Sequence, residues 1–308
     1  VQFVEPQELR SMSSGVLGRI RAATLVCPNL DVAISSYRDY LGYRELERGE
    51  ISAALADLWG ARRMTGSRYA LLQPESGADT WLRFVEIPGN PAYKPYSSWG
   101  WNALELTVQN CDEAVATLSQ GPFEIVGPAH DLGFSDGALR AGQVVGPFGE
   151  VLYLTEIKRP VPGFSLPSAA SPIDRIFIVI LHGADADQGI AAYGQQFGNG
   201  GSPTFETSVD FMALYQGLPA DHPYRLGTVA MAPGFYLEID GAPAHIGKRP
   251  VPTGLLPSGI AMLSIETTER RPAARSVDAG ALYTHRRAER IEGPFGEWIE
   301  LLTVDAAV

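Results

Sequence analysis

Asn29-Leu30-Asp31-Val32-Ala33-Ile34-Ser35-Ser36-Tyr37-Arg38-Asp39-Tyr40-Leu41-Gly42 returns later in the chain as Ala184-Asp185-Ala186-Asp187-Gln188-Gly189-Ile190-Ala191-Ala192-Tyr193-Gly194-Gln195-Gln196-Phe197-Gly198. Asp31 then matches Asp187, and Gly42 matches Gly198. A second echo follows in the same order: Gly146-Pro147-Phe148-Gly149-Glu150-Val151-Leu152-Tyr153-Leu154 recurs as Gly293-Pro294-Phe295-Gly296-Glu297-Trp298-Ile299-Glu300-Leu301. Two unlike motifs recurring in order mark a chain built from two related halves.

The first stretch reads as a helix. Asn29 or Asp31 caps it after Pro28. Ile34, Tyr37 and Leu41 form one apolar stripe, and Gly42 ends the helix. The second copy rebuilds the stripe as Ile190, Tyr193 and Phe197, closed by Gly198. The segments that follow alternate or run apolar, as in Trp81-Leu82-Arg83-Phe84-Val85-Glu86 and Phe235-Tyr236-Leu237-Glu238-Ile239, and read as strands.

Each half contains two units of the order strand, helix, strand, strand, strand. The second unit starts at Ala103 to Val108 and closes with Glu150 to Thr155. The fourth starts near Ile260 to Ile265 and closes with Trp298 to Leu302, and Pro272 predicts a short or distorted helix there. The expected division is a first domain over 1–157, a Pro- and Ser-rich linker over 158–172, and a second domain over 173–308.

The chain's 308 residues suit two domains, and 45% hydrophobic with 19% charged residues suits globular cores. A net charge of −11 argues against nucleic-acid or anionic-membrane partners, which need clustered Lys and Arg. Cys27 and Cys111 have no spacing that would hold zinc or staple a small fold, and read as buried thiols. The absence of a long apolar run or of a leader-like start gives the expectation of a cytoplasmic protein. The Gly198-Asn199-Gly200-Gly201 run follows a helix, so it is a loop and no phosphate cradle.

The helix signature Asn29-Leu30-Asp31 through Tyr37 to Leu41-Gly42, together with the Gly-Pro-Phe-Gly turn before a closing strand, resembles the vicinal oxygen chelate superfamily. That superfamily includes glyoxalase I, bleomycin-resistance proteins and extradiol dioxygenases, and the resemblance runs from about Arg19 to Val304. It implies an α+β fold of two domains, four βαβββ units in all, whose sheets curl around clefts. It also implies four inward positions for a divalent metal, normally His on opening strands and Glu on closing strands.

Carried over residue by residue, the opening positions fall on Ala22, Ala103, Ile178 and Ile260, and the closing positions on Arg83, Tyr153, Glu238 and Glu300. Two carboxylates without imidazole make a poor transition-metal site, so neither metal nor cofactor is expected. A slip of one residue would exchange inward and outward sets, leaving Glu238 and Asp240 as alternative inward carboxyls on one face.

The resemblance therefore points to a metal-independent lyase or isomerase acting on a small aromatic or carbonyl-containing molecule. Glu300 and Glu238 would serve as acid and base in the second half. Their pocket would include Ile178, Tyr236, Asp240 and Ile260, with His182 at its rim. Arg83 and Tyr153 in the first half offer donors for an anion or a carbonyl oxygen. Two other readings stay open: a non-catalytic protein that binds an antibiotic or aromatic compound, and a metal-dependent dioxygenase whose displaced ligands include His245 or His285. Unpaired sheet edges would allow a homodimer.

Overall fold

The computed structural model describes residues 15–87 and 94–304. The first unit comprises β1 (Leu17–Cys27), α1 (Leu30–Leu41), β2 (Arg44–Glu50), α2 (Ala53–Trp59), β3 (Arg68–Gln73) and β4 (Trp81–Glu86). The second comprises β5 (Gly100–Val108), α3 (Cys111–Leu118), β6 (Glu124–Asp131), β7 (Leu139–Val145) and β8 (Val151–Ile157). The third runs through β9 (Ile173–Gly183), α4 (Ala186–Phe197), β10 (Phe205–Ser208), α5 (Asp210–Tyr215), β11 (Pro223–Ala230) and β12 (Tyr236–Gly241). The fourth has β13 (Ile260–Thr267), β14 (Arg275–Ser276), β15 (Arg286–Glu292) and β16 (Trp298–Val304), with no helix where Pro272 interrupts the pattern.

The repeated helices form for the same local reasons. Asn29 accepts a hydrogen bond from Val32 N, and Asp185 accepts one from Gln188 N, so each helix start has a side-chain cap. Gly42 (φ 72°) and Gly198 (φ 70°) then stop the helices in the left-handed region. Tyr37, Leu41, Tyr193 and Phe197 are buried in a core shared by both sheets and the helices.

Among the described residues sixteen strands form two eight-stranded sheets, ordered β14-β15-β16-β13-β1-β4-β3-β2 and β10-β11-β12-β9-β5-β8-β7-β6. The first unit therefore pairs with the fourth, through antiparallel β1 and β13, and the second with the third, through antiparallel β5 and β9. Each of the sequence halves 1–157 and 173–308 contributes one unit to each sheet. Residues 158–172 contain neither helix nor strand and join β8 of one unit to β9 of its sheet partner. The repeat shows which units are alike but carries no information about which strands hydrogen-bond, because β1 could close on either relative.

Each sheet keeps its own cluster of buried side chains on the face away from the shared core. These are the two cups. The first is walled by units one and four, the second by units two and three.

Candidate functional site

Strand register fixes which residues meet in the first cup. Thr24 lies beside Arg83 on β1 and β4, Ser264 lies beside Glu300 on β13 and β16, and the two pairs come together across the antiparallel β1–β13 seam. Arg83 Nη2 donates to Glu300 Oε2 at 3.2 Å, and Arg83 Nε and Nη2 donate to Thr24 Oγ1 at 2.9 and 2.8 Å. Glu300 also accepts from Trp59 Nε1 at 2.7 Å, from the Tyr283 hydroxyl at 2.7 Å and from Ser264 Oγ. The Arg83 guanidinium sits 4.6 Å from the Trp59 ring centroid.

This ion pair is sealed. Arg83 is 1% exposed and Glu300 0%. The short helix α2 supplies Leu55 and Trp59, and a turn at Ala281–Tyr283 supplies Leu282 and Tyr283, to close the cup. Glu300 has its carboxylate filled by three donors besides the guanidinium, so nothing is left with which to engage a small molecule.

The second cup is built differently. The corresponding register places Glu105 beside Tyr153 on β5 and β8, and Ile180 beside Glu238 on β9 and β12. Asp240, two residues beyond Glu238 on the same face, lies beside His182. Glu238 and Tyr153 keep partial solvent exposure, as do Ile178 and Thr228 next to them, whereas every corresponding side chain in the first cup is buried.

The carboxyls of this cup have few compensating partners. Burial, and then the charges of Asp240 and Glu105, hold Glu238 well above the usual carboxylate range. Burial pushes Asp240 up to about 7. Glu105 is likewise pushed up to about 7 by burial, against the opposing hydrogen bond from Thr155. Asp240 Oδ1 is buried without a hydrogen-bond partner.

His182 is fully buried and does not reach a solvent-facing rim. Its Nε2 is 2.9 Å from Gln216 Nε2, its ring meets Tyr96 edge-on at 5.4 Å, and its Nδ1 has no partner. Burial, and then Arg249, lower its pKa to about 3, so it is neutral and not a general acid at neutral pH.

No protein-family model matches the sequence, and comparison with curated proteins finds no match. Solved structures do match. Glyoxalase I from Zea mays superposes with a TM-score of 0.59 at 13% identity over 92% of each chain. A single-substitution variant of the same enzyme reaches 0.61 at 13% identity, over 97% of this chain and 96% of that one. A protein of Bacillus subtilis described as a candidate dioxygenase gives 0.59 at 11% identity, over 95% of this chain and 86% of that one. The chain has the glyoxalase I fold.

The glyoxalase fold raises the question of a metal, and the residues answer it separately for each cup. In the first, the Arg83 cation occupies the centre, and the other side chains are hydroxyls committed to it or to Glu300. In the second, the register-equivalent positions Glu105, Tyr153, Ile180 and Glu238 provide no imidazole, and His182 beside Asp240 accepts from Gln216 on Nε2, so its neutral ring carries the proton on Nδ1 and has no free lone pair for a metal. Among the described residues no group of three or more His, Cys, Asp or Glu side chains is arranged to hold a metal. His245 and His285 are exposed, so they complete no displaced site. Neither donor set fits a catalytic metal.

The sequence-based site is thus regrouped. Glu300 and Glu238 belong to different sheets and cannot form an acid–base pair, and Arg83 and Tyr153 are likewise separated. Arg83 joins Glu300, while Tyr153, Glu238, Asp240 and His182 share the second cup. Ala22 and Ala103 lie two residues from Thr24 and Glu105, the opening-strand residues that the register selects. Ile178 is two residues from Ile180 and still borders the second cup. Ile260 packs in the shared core because the register shifts at Thr24/Leu25. Tyr236 packs on Phe164 at 5.5 Å and accepts a hydrogen bond from Ser165 N at 2.7 Å, so it anchors the 158–172 segment. The sequence reading missed Glu105, Thr24, Ser264 and Trp59. For Glu105 and Ser264 the signal was present: both are polar residues inside apolar opening strands.

Proposed function

We propose that the second cup is the working pocket of an enzyme that moves a proton on a small carbonyl-containing or aromatic molecule, in lyase or isomerase chemistry that uses carboxyls and no metal. The observation that carries this reading is the buried Glu238 and Asp240 pair on one face of β12, with Glu238 still partly exposed to the cup. Two like charges held this close titrate apart, so one carboxyl keeps its proton while the other is available as a base. Glu238 is the group that would touch substrate. Asp240, pushed up only to about 7 while its charge holds Glu238 higher, would be the carboxyl that ionises first and takes on the proton that Glu238 exchanges with substrate. The Tyr153 hydroxyl, kept protonated by burial, would donate to a carbonyl oxygen as charge develops on it. The first cup is then a structural element.

Proton abstraction next to a carbonyl in D2O replaces hydrogen with deuterium whether or not the full reaction is known. A panel of small ketones, aldehydes and aryl carbonyl compounds incubated with enzyme and followed by proton NMR should include members that lose their exchangeable signal. That exchange should be absent with Glu238→Gln. Exchange that persists in the folded variant removes Glu238 as the group that exchanges the proton.

Non-catalytic binding is the second reading, favoured by Phe211, Met212 and Ala213 of α5, which pack into the cup as an apolar cover. A pure binder would retain ligand with Glu238→Gln and would catalyse no exchange.

A further inference from the structure

One end of the second cup carries a fixed hydrogen-bond pattern. The Tyr96 carbonyl oxygen can only accept, so the Gln216 amide turns Nε2 toward it, at 3.1 Å, and toward His182 Nε2, at 2.9 Å. Gln216 Oε1 accepts from the Tyr224 hydroxyl at 2.8 Å, which fixes the amide from its other side. His182 Nε2 is therefore the acceptor, and the proton of the neutral ring sits on Nδ1. Gln216 thus makes a buried histidine a donor without touching the atom that donates.

That donor is unused. His182 Nδ1 and Asp240 Oδ1 are both buried without a hydrogen-bond partner among the described residues, in residues 0% and 2% exposed. They belong to register partners on parallel β9 and β12, and neighbouring strands lie about 4.8 Å apart. One oxygen that accepts from an N–H and donates to a carboxylate bridges two atoms roughly 4.5–5 Å apart. In the first cup Arg83, Thr24, Ser264 and Glu300 satisfy one another instead. A buried donor and a buried acceptor left open side by side call for a third group that both takes and gives a hydrogen bond.

We propose that His182 and Asp240 form a hydroxyl-recognising subsite of the second cup, with Gln216 as its positioning residue, and that the cup takes a small carbonyl compound carrying an alcohol hydroxyl on an apolar body. This rests on the second cup being the working pocket and names a group that its substrate carries. The hydroxyl accepts from His182 Nδ1 and donates to Asp240 Oδ1, and Asp240 Oδ2 is left for the proton that Glu238 exchanges. Glu238 lies two residues back along β12, about 6.6 Å away, which sets the separation between the hydroxyl and the carbon that loses a proton. Phe211, 5.7 Å from the Tyr96 ring and 5.8 Å from the Tyr153 ring, gives the apolar body an aromatic wall. Water can make the same two bonds. A substrate hydroxyl that replaces it keeps both, whereas an ether keeps one and a methyl group none.

4-(Hydroxymethyl)acetophenone, 4-ethylacetophenone and 4-(methoxymethyl)acetophenone share an aryl ketone and differ in the group at its far end. Titration calorimetry with the full chain at about pH 8, where Asp240 is ionised, should show the alcohol binding about tenfold or more tightly than the ethyl compound and the ether. His182→Phe and, separately, Asp240→Leu should erase the preference, and Gln216→Met should weaken it. Gln195→Met, an exposed change on α4, should leave it intact. Nitrogen-15 spectra of the wild type should show the His182 ring neutral with its proton on Nδ1, and Gln216→Met should lose that fixed tautomer. A His182 proton found on Nε2, equal binding of the three ketones, no binding of the alcohol, or a preference that survives in folded His182→Phe and Asp240→Leu overturns the proposal. Preference for the alcohol without deuterium exchange on any ketone would keep the subsite and discard the enzyme. Exchange without the preference would do the reverse.

Discussion

The Tyr37 hydroxyl donates to Glu150 Oε1 at 2.8 Å, linking a helix of the first unit to the Gly146–Gly149 turn of the second and so one sheet to the other. Tyr193 repeats this contact on Glu297 Oε1 at 2.6 Å between the third and fourth units. In both turns the second carboxyl oxygen accepts from the backbone, from Phe148 N at 3.0 Å and Phe295 N at 2.9 Å. The two repeated motifs of the sequence therefore meet each other in space, twice, and tie together units that do not share a sheet.

Removing either hydroxyl leaves a buried carboxyl short of a donor. Tyr37→Phe and Tyr193→Phe should each cost about 1–3 kcal/mol. The two contacts share no partner, so the double variant should lose about the sum, to within ~0.5 kcal/mol. Urea denaturation of the three variants measures this. A double variant no less stable than either single one would mean that the ties are not independent.

The same carboxyls set the pH dependence of stability. Burial pushes both Glu150 and Glu297 up to about 7, against their hydrogen bonds. A carboxyl with a folded-state pKa above its unfolded value binds more protons when folded. Its contribution is fullest below the unfolded pKa and is lost as pH rises through the folded one, on the order of 3 kcal/mol for each group. Glu105 and Asp240 act in the same direction. The melting temperature should therefore rise as pH falls from about 8 to about 5. Replacing Glu150 and Glu297 by Gln should flatten part of that rise. A melting temperature that instead increases with pH over this range would contradict these assignments.

In the first cup, Arg83→Met and Glu300→Gln should each destabilise by about 3–5 kcal/mol, because each strands or unbalances the other buried group. The double variant should recover part of the loss, giving a favourable coupling in a double-mutant cycle. Chelator should not move the wild-type melting temperature, since the centre is held by a guanidinium. Recovery of all stability in the double variant would fit a pair retained for geometry more than for energy. Additive losses would mean that the pair does not interact.

What the sequence displayed was local. Asn29, Tyr37 and Gly42 announce a helix with its cap, stripe and stop, and their copies announce the repeat, because caps and periodicity act within a few residues. The pairing of β1 with β13 is decided by contacts between segments more than 230 residues apart in the chain, and no local signal reports it. That single topological fact separates Glu300 from Glu238 and joins it to Arg83. The opening-strand positions Ala22, Ala103 and Ile178 were displaced by two residues for a related reason: a two-residue shift preserves the inward face, so Ala22 and Thr24 are equivalent in pattern and differ only in what lies opposite. Trp59 came from a short helix between β2 and β3 that the reading of each unit as strand, helix, strand, strand, strand does not contain, although α5 stands at the same place in the third unit.

The second cup should show the opposite balance between stability and function from the first. Glu238 is held above its usual range by burial and by Asp240 and Glu105, so the folded chain is strained by these charges once pH exceeds their titration. Replacing Glu238 with Gln keeps the shape and removes one charge. At about pH 8 the variant should gain on the order of 1–3 kcal/mol, and the gain should shrink toward about pH 5, where the wild-type carboxyl is already neutral. Proton exchange on carbonyl compounds should vanish in the same protein. Denaturation at both pH values and exchange in D2O test the two halves together. A variant that is less stable at both pH values would show that Glu238 is compensated by a partner in the fold, and would take away the physical reason for placing it in the working pocket.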